Sequence, residues 1–116
     1  MSASAPTLNY YHVYAQDLPD AQRAKHTEAH MAQNTPLIQS GVIKFGGGLL
    51  RPESNSSDLD ARQSIVGSFI IVQAESIEAV WEILHKEIFY VSGEVWDREK
   101  VFVAPVYVPF KEARFE

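Results

Sequence analysis

The chain contains no cysteine. That excludes disulfides, thiolate metal sites and a cysteine nucleophile, and it removes any need for an oxidising compartment. Long apolar runs are also lacking. No stretch reaches the roughly 18 residues a membrane-spanning helix requires, and the opening MSASAPT has neither the basic flank nor the apolar run of a secretory leader. A cytoplasmic location with no membrane partner is therefore expected. Positive charge is scarce, with 10 Lys and Arg against 15 Asp and Glu, a formal charge of −5. Such a surface repels a phosphate backbone, so no nucleic-acid partner is expected. The triplet Gly46-Gly47-Gly48 lacks the downstream Lys and Ser/Thr of a phosphate loop, which argues against a nucleotide.

What is present fits one core. The 116 residues, 46% of them hydrophobic, match a single domain. We expect that domain over residues 8–110, between a disordered N-terminus at 1–7 and a tail at 111–116. LNYYHVYA, 8–15, is aromatic and β-branched and reads as a strand. Asp17 or Asp20 can cap a helix from Pro19 to Gln33, with Pro36 kinking or interrupting it and Gly41 closing the segment. VIKFGGGLL, 42–50, reads as a strand carrying glycines, which mark a bulge or a close approach of a ligand to the backbone. The polar stretch 51–63 reads as a long loop suited to act as a lid. SIVGSFIIVQA, 64–74, is the clearest strand. Ser76 and Glu78 then open an amphipathic helix that runs to about Lys86, with Trp81 on its apolar stripe. Residues 87–97 read as a linker, and KVFVAPVYVPF as a last strand whose prolines suit an edge or a bulge.

The order β-α-β-β-α-β predicts an α+β fold, the ferredoxin-like plait of four antiparallel strands with both helices on one face. The other face of a solitary plait is wet, so its strands should alternate apolar and polar residues. Residues 65–72 and 101–108 are instead apolar on both faces. A chain this short has no further helix to cover them, and a second copy does so most simply. The expectation is a homodimeric α+β barrel enclosing a small-molecule cavity between sheet and helix ends.

HTEAHM, 26–31, carries the candidate chemistry. On a helix His26 and His30 are neighbours, about 5 to 6 Å apart at Cβ. The metalloprotease pattern would place the glutamate next to the first histidine, and no patterned third ligand follows, so no metal is expected. Histidines that titrate near neutrality suit acid/base work better. Arg23 lies on the same stripe and can hold a carboxylate or enolate oxygen. The plain alternative is that Arg23, His26, His30 and Asn34 form a polar helix face in solvent.

Several pieces, taken in order, resemble the YCII-related family of small dimeric α+β-barrel proteins. They are Arg23 with His30-Met31, the segment Gly41 to Leu49, GSFIIVQAESIEAVWEIL and EIFYVSGEVW. The resemblance implies that His30 is the family's helix histidine and that Glu87 occupies the position of its acid/base aspartate. It also implies elimination or isomerisation of small aromatic or lactone compounds without a cofactor. His26 matches no family position and is assigned an auxiliary role. The expected function is thus a cofactor-independent lyase, dehydratase or isomerase acting on a small cyclic or aromatic compound in secondary metabolism or aromatic degradation. His30 is its base, Glu87 orients that base, and Arg23 with the backbone near Gly47 steadies an oxyanion. Tyr11, Phe45 and Trp96 pack against the ligand. The alternative is a ligand-binding or accessory protein that uses the same pocket without turnover.

Overall fold

The computed structural model of the chain describes residues 6–110. In chain order it holds β1 (Asn9–Asp17), α1 (Arg23–Gln39), β2 (Ile43–Leu50), β3 (Ile65–Ala74), α2 (Ile77–Leu84), α3 (Ile88–Val91) and β4 (Trp96–Pro105), with one 3-10 turn at Ala61–Ser64. The strands form one sheet in the order β2-β3-β1-β4, and each neighbouring pair is antiparallel. This is the ferredoxin-like α+β arrangement expected from the order of elements. Of the segments expected to lie outside the domain, 1–5 and 111–116 fall outside the described residues, while Pro6 and Thr7 have no regular secondary structure. Among the described residues no helix is long and apolar enough to cross a membrane.

Strand register decides which side chains meet. Tyr11 faces Val72, Val13 faces Ile70 and Val103, and Ala15 faces Ser68 and Val101. Tyr11, Val13, Ala15 and Val72 are buried with Val80 and Leu84 of α2 and Phe89 of α3, so the helices cover this side. Alternate residues point the other way. They are Tyr10, His12 and Tyr14, with Gln73, Ile71 and Phe69 on one neighbour and Ala104 and Phe102 on the other.

Helix α1 departs from expectation at both ends. It begins at Arg23 rather than Pro19, behind Gln22, with no side-chain cap. The preceding turn is tied down elsewhere, by Leu18 N–H to Val95 O at 2.8 Å and Gln22 N–H to Glu94 O at 2.7 Å, while Asp17 remains in β1. At the other end the helix runs through Pro36 to Gln39. Pro36 removes one N–H from the ladder, and Ala32, whose carbonyl loses it, is exposed to water. Gly41, at φ +83°, then stops the helix. Its N–H reaches Ile38 O at 3.2 Å and Val42 N–H reaches Leu37 O at 2.9 Å, the paired closure that a left-handed residue permits.

Two further differences lie in the second half. The expected linker 87–97 contains α3, whose four residues are too few to show a helical period in sequence. Strand β4 starts at Trp96 rather than Lys100, with an irregularity in its pairing where β1 passes from Ala15 to Asp17, and it ends at Pro105 as an edge strand. The expected cap of α2 is present, with Ser76 Oγ accepting from Ala79 N–H at 3.1 Å.

Candidate active site

Only Asn34 is buried among the residues of α1, so the helix is not seated by an apolar face. Polar side chains hold it instead. Arg23, His26, His30, Gln33 and Asn34 recur at helical spacing, and they bond Asp17 of β1, Glu94 before β4, and Glu87 and Ile88 at the start of α3. Such bonds keep the helix at a distance from the sheet. Between the two lies a cavity of about 1240 Å³, walled by Val13, Ile43 and Ile70 on the sheet side and by Met31 and Ile38 on the helix.

Glu87 forms one polar centre of this cavity. The residue is only 4% exposed, and its carboxylate accepts three hydrogen bonds. His30 Nδ1–H and Asn34 Nδ2–H, the latter at 3.1 Å, donate to Oε1, and Phe89 N–H donates to Oε2 at 2.5 Å. The last bond makes Glu87 the cap of α3, so the local fold fixes the carboxylate before any ligand arrives. With the Nδ1 proton given to Glu87, Nε2 of His30 keeps a lone pair. Asn34 Nδ2 also lies 3.1 Å from Nδ1, but both are donors in this tautomer, so Asn34 serves the carboxylate. The His30 ring stacks on Phe89 at 3.9 Å with 3° between planes, which fixes its orientation.

Arg23 forms the second centre. Its Nε–H and Nη2–H clamp Asp17, the latter at 2.9 Å, and Nη2 also donates to Ser68 Oγ at 2.8 Å. Trp96 Nε1–H donates to the same Ser68 Oγ at 3.1 Å. The hydroxyl has therefore accepted twice, and its own hydrogen is left to donate. The two N–H groups on Nη1 have no bond among the described residues. The guanidinium lies over Phe89, 4.9 Å from the ring centre, and Phe89 meets Trp96 edge-on at 5.9 Å. Phe89 thus joins the two polar centres.

The cavity brings together six of the residues singled out in the sequence: His30, Glu87, Arg23, Phe45, Gly47 and Trp96. Two others lie elsewhere. Tyr11 is 7% exposed and belongs to the core, because an odd position on β1 faces α2 and α3. His26 turns to Glu94 at 3.0 Å, on the side of α1 next to the α3–β4 loop. The two histidines have gone to different carboxylates, and no group of three or more possible metal ligands exists among the described residues. The solvated helix face offered as an alternative is not found, since Asn34 is buried and Arg23, His26 and His30 are each partly so. Its hydrogen bond with His26, and then Lys25, holds the Glu94 carboxyl below the usual carboxylate range.

Sequence reasoning missed Asp17 as a partner, Ser68, Phe89 and Glu94, and gave Asn34 no role beyond a solvated face. A signal was available for Asn34, which stands one turn after His30. For Ser68 the signal was its place in the family-like segment that begins at Gly67-Ser68, to which no role was given. The cavity expected between sheet and helix ends lies between α1 and the sheet, where polar tethers hold α1 off the strands.

Comparison with known proteins adds to this geometry. The YCII-related domain matches residues 9–102. Fusaric acid biosynthesis protein 2 of Gibberella fujikuroi is 35% identical over 103 residues, covering 87% of this chain and 95% of that protein. Aspartate kinase FUB3 of Fusarium oxysporum f. sp. lycopersici is 36% identical over 112 residues, 95% of this chain, and the chain spans only 19% of that protein's length. Among solved structures, the 5-chloro-2-hydroxyhydroquinone dehydrochlorinase TftG from Burkholderia phenoliruptrix AC1100, in complex with 2,5-dihydroxybenzoquinone, is similar with a TM-score of 0.67 and 26% identity, covering 82% of this chain and 90% of that one.

Proposed function

The chain belongs to the YCII-related family, and from that premise we propose that it is a cofactor-independent acid/base enzyme of the lyase or isomerase type, acting on a small hydroxylated aromatic compound. One observation carries this reading: a histidine whose Nδ1 is bonded to a buried carboxylate stands in the wall of a cavity lined with aromatic rings. The substrate class is supported by the similar dehydrochlorinase, which binds a dihydroxybenzoquinone.

In this mechanism Nε2 of His30 takes the proton of a ring hydroxyl, and Glu87 stabilises the imidazolium that results. The ring takes the proton back at carbon and becomes the keto tautomer. That step alone is an isomerisation. If the carbon that takes the proton carries a leaving group, that group departs as its anion while a conjugated ring hydroxyl gives its proton to Nε2 and becomes a carbonyl, which completes an elimination to a quinone with no oxidant or reductant. Arg23 Nη1 and the Ser68 hydroxyl donate to the oxygen that bears negative charge. A second copy of the chain covers the open sheet face.

The test is deuterium uptake at the ring carbons of hydroxyhydroquinone in D2O, together with chloride release from its 5-chloro derivative. Wild type is expected to accelerate one or both. His30→Ala should lower the rate by about a hundredfold or more, and Glu87→Gln by less, as removal of a base and of its orienting group predicts. An unchanged rate in His30→Ala would remove the base. A second reading, a ligand-binding accessory protein, is favoured by the fact that the fusaric acid relative is named for a biosynthetic route and not for a reaction. Saturable binding of these phenols with no exchange and no chloride release would decide for it.

A further inference from the structure

Positive charge on this acidic chain is unevenly used. Arg23, Lys25, Arg98 and Lys100 each have a partner, in Asp17, Glu94, the carbonyls of Tyr90 and Val91, and Asp97. Lys44, Arg51, Arg62 and Lys86 have no side-chain partner among the described residues, and the first three line the cavity. Both carboxylates in the cavity wall, Asp17 and Glu87, are already taken by Arg23 and His30. The acids nearest in sequence to the two arginines, Glu53, Asp58 and Asp60, do not line it. A chain with a formal charge of −5 therefore presents unneutralised cations to its cavity.

Their placement is set by the fold. Arg51 follows the last residue of β2 and Arg62 stands in the 3-10 turn that leads into β3. The two stems of this connection are joined by Arg51 N–H to Ser64 O at 3.2 Å, so both arginines stand at the same end of the β2–β3 pair. Lys44 lies toward the other end of β2. Guanidinium groups present paired N–H donors that match the two oxygens of a carboxylate, and a concave site lined by one sign of charge concentrates ligands of the other.

We infer that the cavity takes an aromatic carboxylic acid, with the ring beside Phe89 and Trp96 and the carboxylate on Arg51 and Arg62. This rests on the reading of the cavity as the reaction site and adds to it the anionic group by which the substrate is chosen. Lys44 adds positive potential at the cavity wall.

Calorimetric titration of the full chain at low salt with salicylate, salicylamide and phenyl phosphate tests this. Salicylate should bind at least about tenfold more tightly than salicylamide, the margin expected of a charge-assisted pair near the surface. The Arg51→Gln/Arg62→Gln double variant should lose that margin while melting at the wild-type temperature, because neither side chain has a partner to lose. Equal binding of salicylate and salicylamide, no saturable binding of salicylate, a margin that survives in the double variant, or a preference for phenyl phosphate would each overturn the inference. His30→Ala should keep the margin. Loss of turnover in His30→Ala with no carboxylate preference in wild type sinks this inference alone, and a carboxylate preference with full turnover in His30→Ala sinks only the proposed base.

Discussion

Glu87 and Glu94 show how two carboxylates on one chain serve different ends. Glu87 is buried with three donors, a state in which removing any partner leaves a costly unpaired group. Glu94 lies at the surface between His26 and Lys25, which hold its carboxyl below the usual range. A lowered folded-state value means that Glu94 contributes stability above its unfolded value, near 4.5, and loses it as the pH falls through the folded value. The Glu94→Gln variant should therefore be less stable than wild type near neutrality, by an amount that shrinks as the solution is acidified below 4.5. Paired denaturation curves across that range check it. A constant difference would show that the ionised carboxylate is not what matters.

At the scale of elements, α1 and β2 depart furthest from regular packing, and both border the cavity. Helix α1 trades apolar seating for bonds to β1, β3, α3 and the loop before β4, and that trade opens the space beneath it. Strand β2 carries three consecutive glycines, and contact with β3 explains Gly46. A Cβ there would stand 2.6 Å from Ile70 Cγ2 and 2.9 Å from the carbonyl oxygen of Phe69. Backbone does not yield as a side-chain tip does. Gly46→Ala should cost about 1 to 3 kcal/mol in urea unfolding, as overpacking does in other cores. The expectation that these glycines mark a bulge is not met within the triplet, since the irregularities in pairing fall at Ile43/Phe45 and Leu49/Leu50. Pro36 in α1 is tolerated because only one exposed carbonyl loses its donor, which no reading of proline as a breaker could foresee without knowing which way Ala32 faces.

On the scale of the whole molecule, the sheet face away from the helices carries exposed aromatic surface. Phe102, on that face, is 59% exposed, and its neighbours across the strands are Tyr14 and, beyond it, Phe69. Apolar surface of this kind on a small domain is best buried by association, and two identical faces satisfy each other about a two-fold axis. Sedimentation equilibrium should give twice the 13.0 kDa of one chain. Phe102→Lys should shift the equilibrium toward the single chain without unfolding it, because the side chain lies outside the core. A stable single chain in wild type at micromolar concentration would sink the homodimer.

The sequence by itself determined the α+β plait, since the order of apolar periods and turn residues leaves few ways to bury four strands and two long helices. It also pointed to His30 and Glu87, whose resemblance to a family motif needs only their types and order. Tertiary structure alone decided that His26 and His30 part company, that Tyr11 is core, and that Asp17, Asn34, Ser68 and Phe89 complete the two polar centres. Contacts such as Arg23 with Ser68 join residues 45 positions apart, and strand register, which no local period encodes, sets which of them meet.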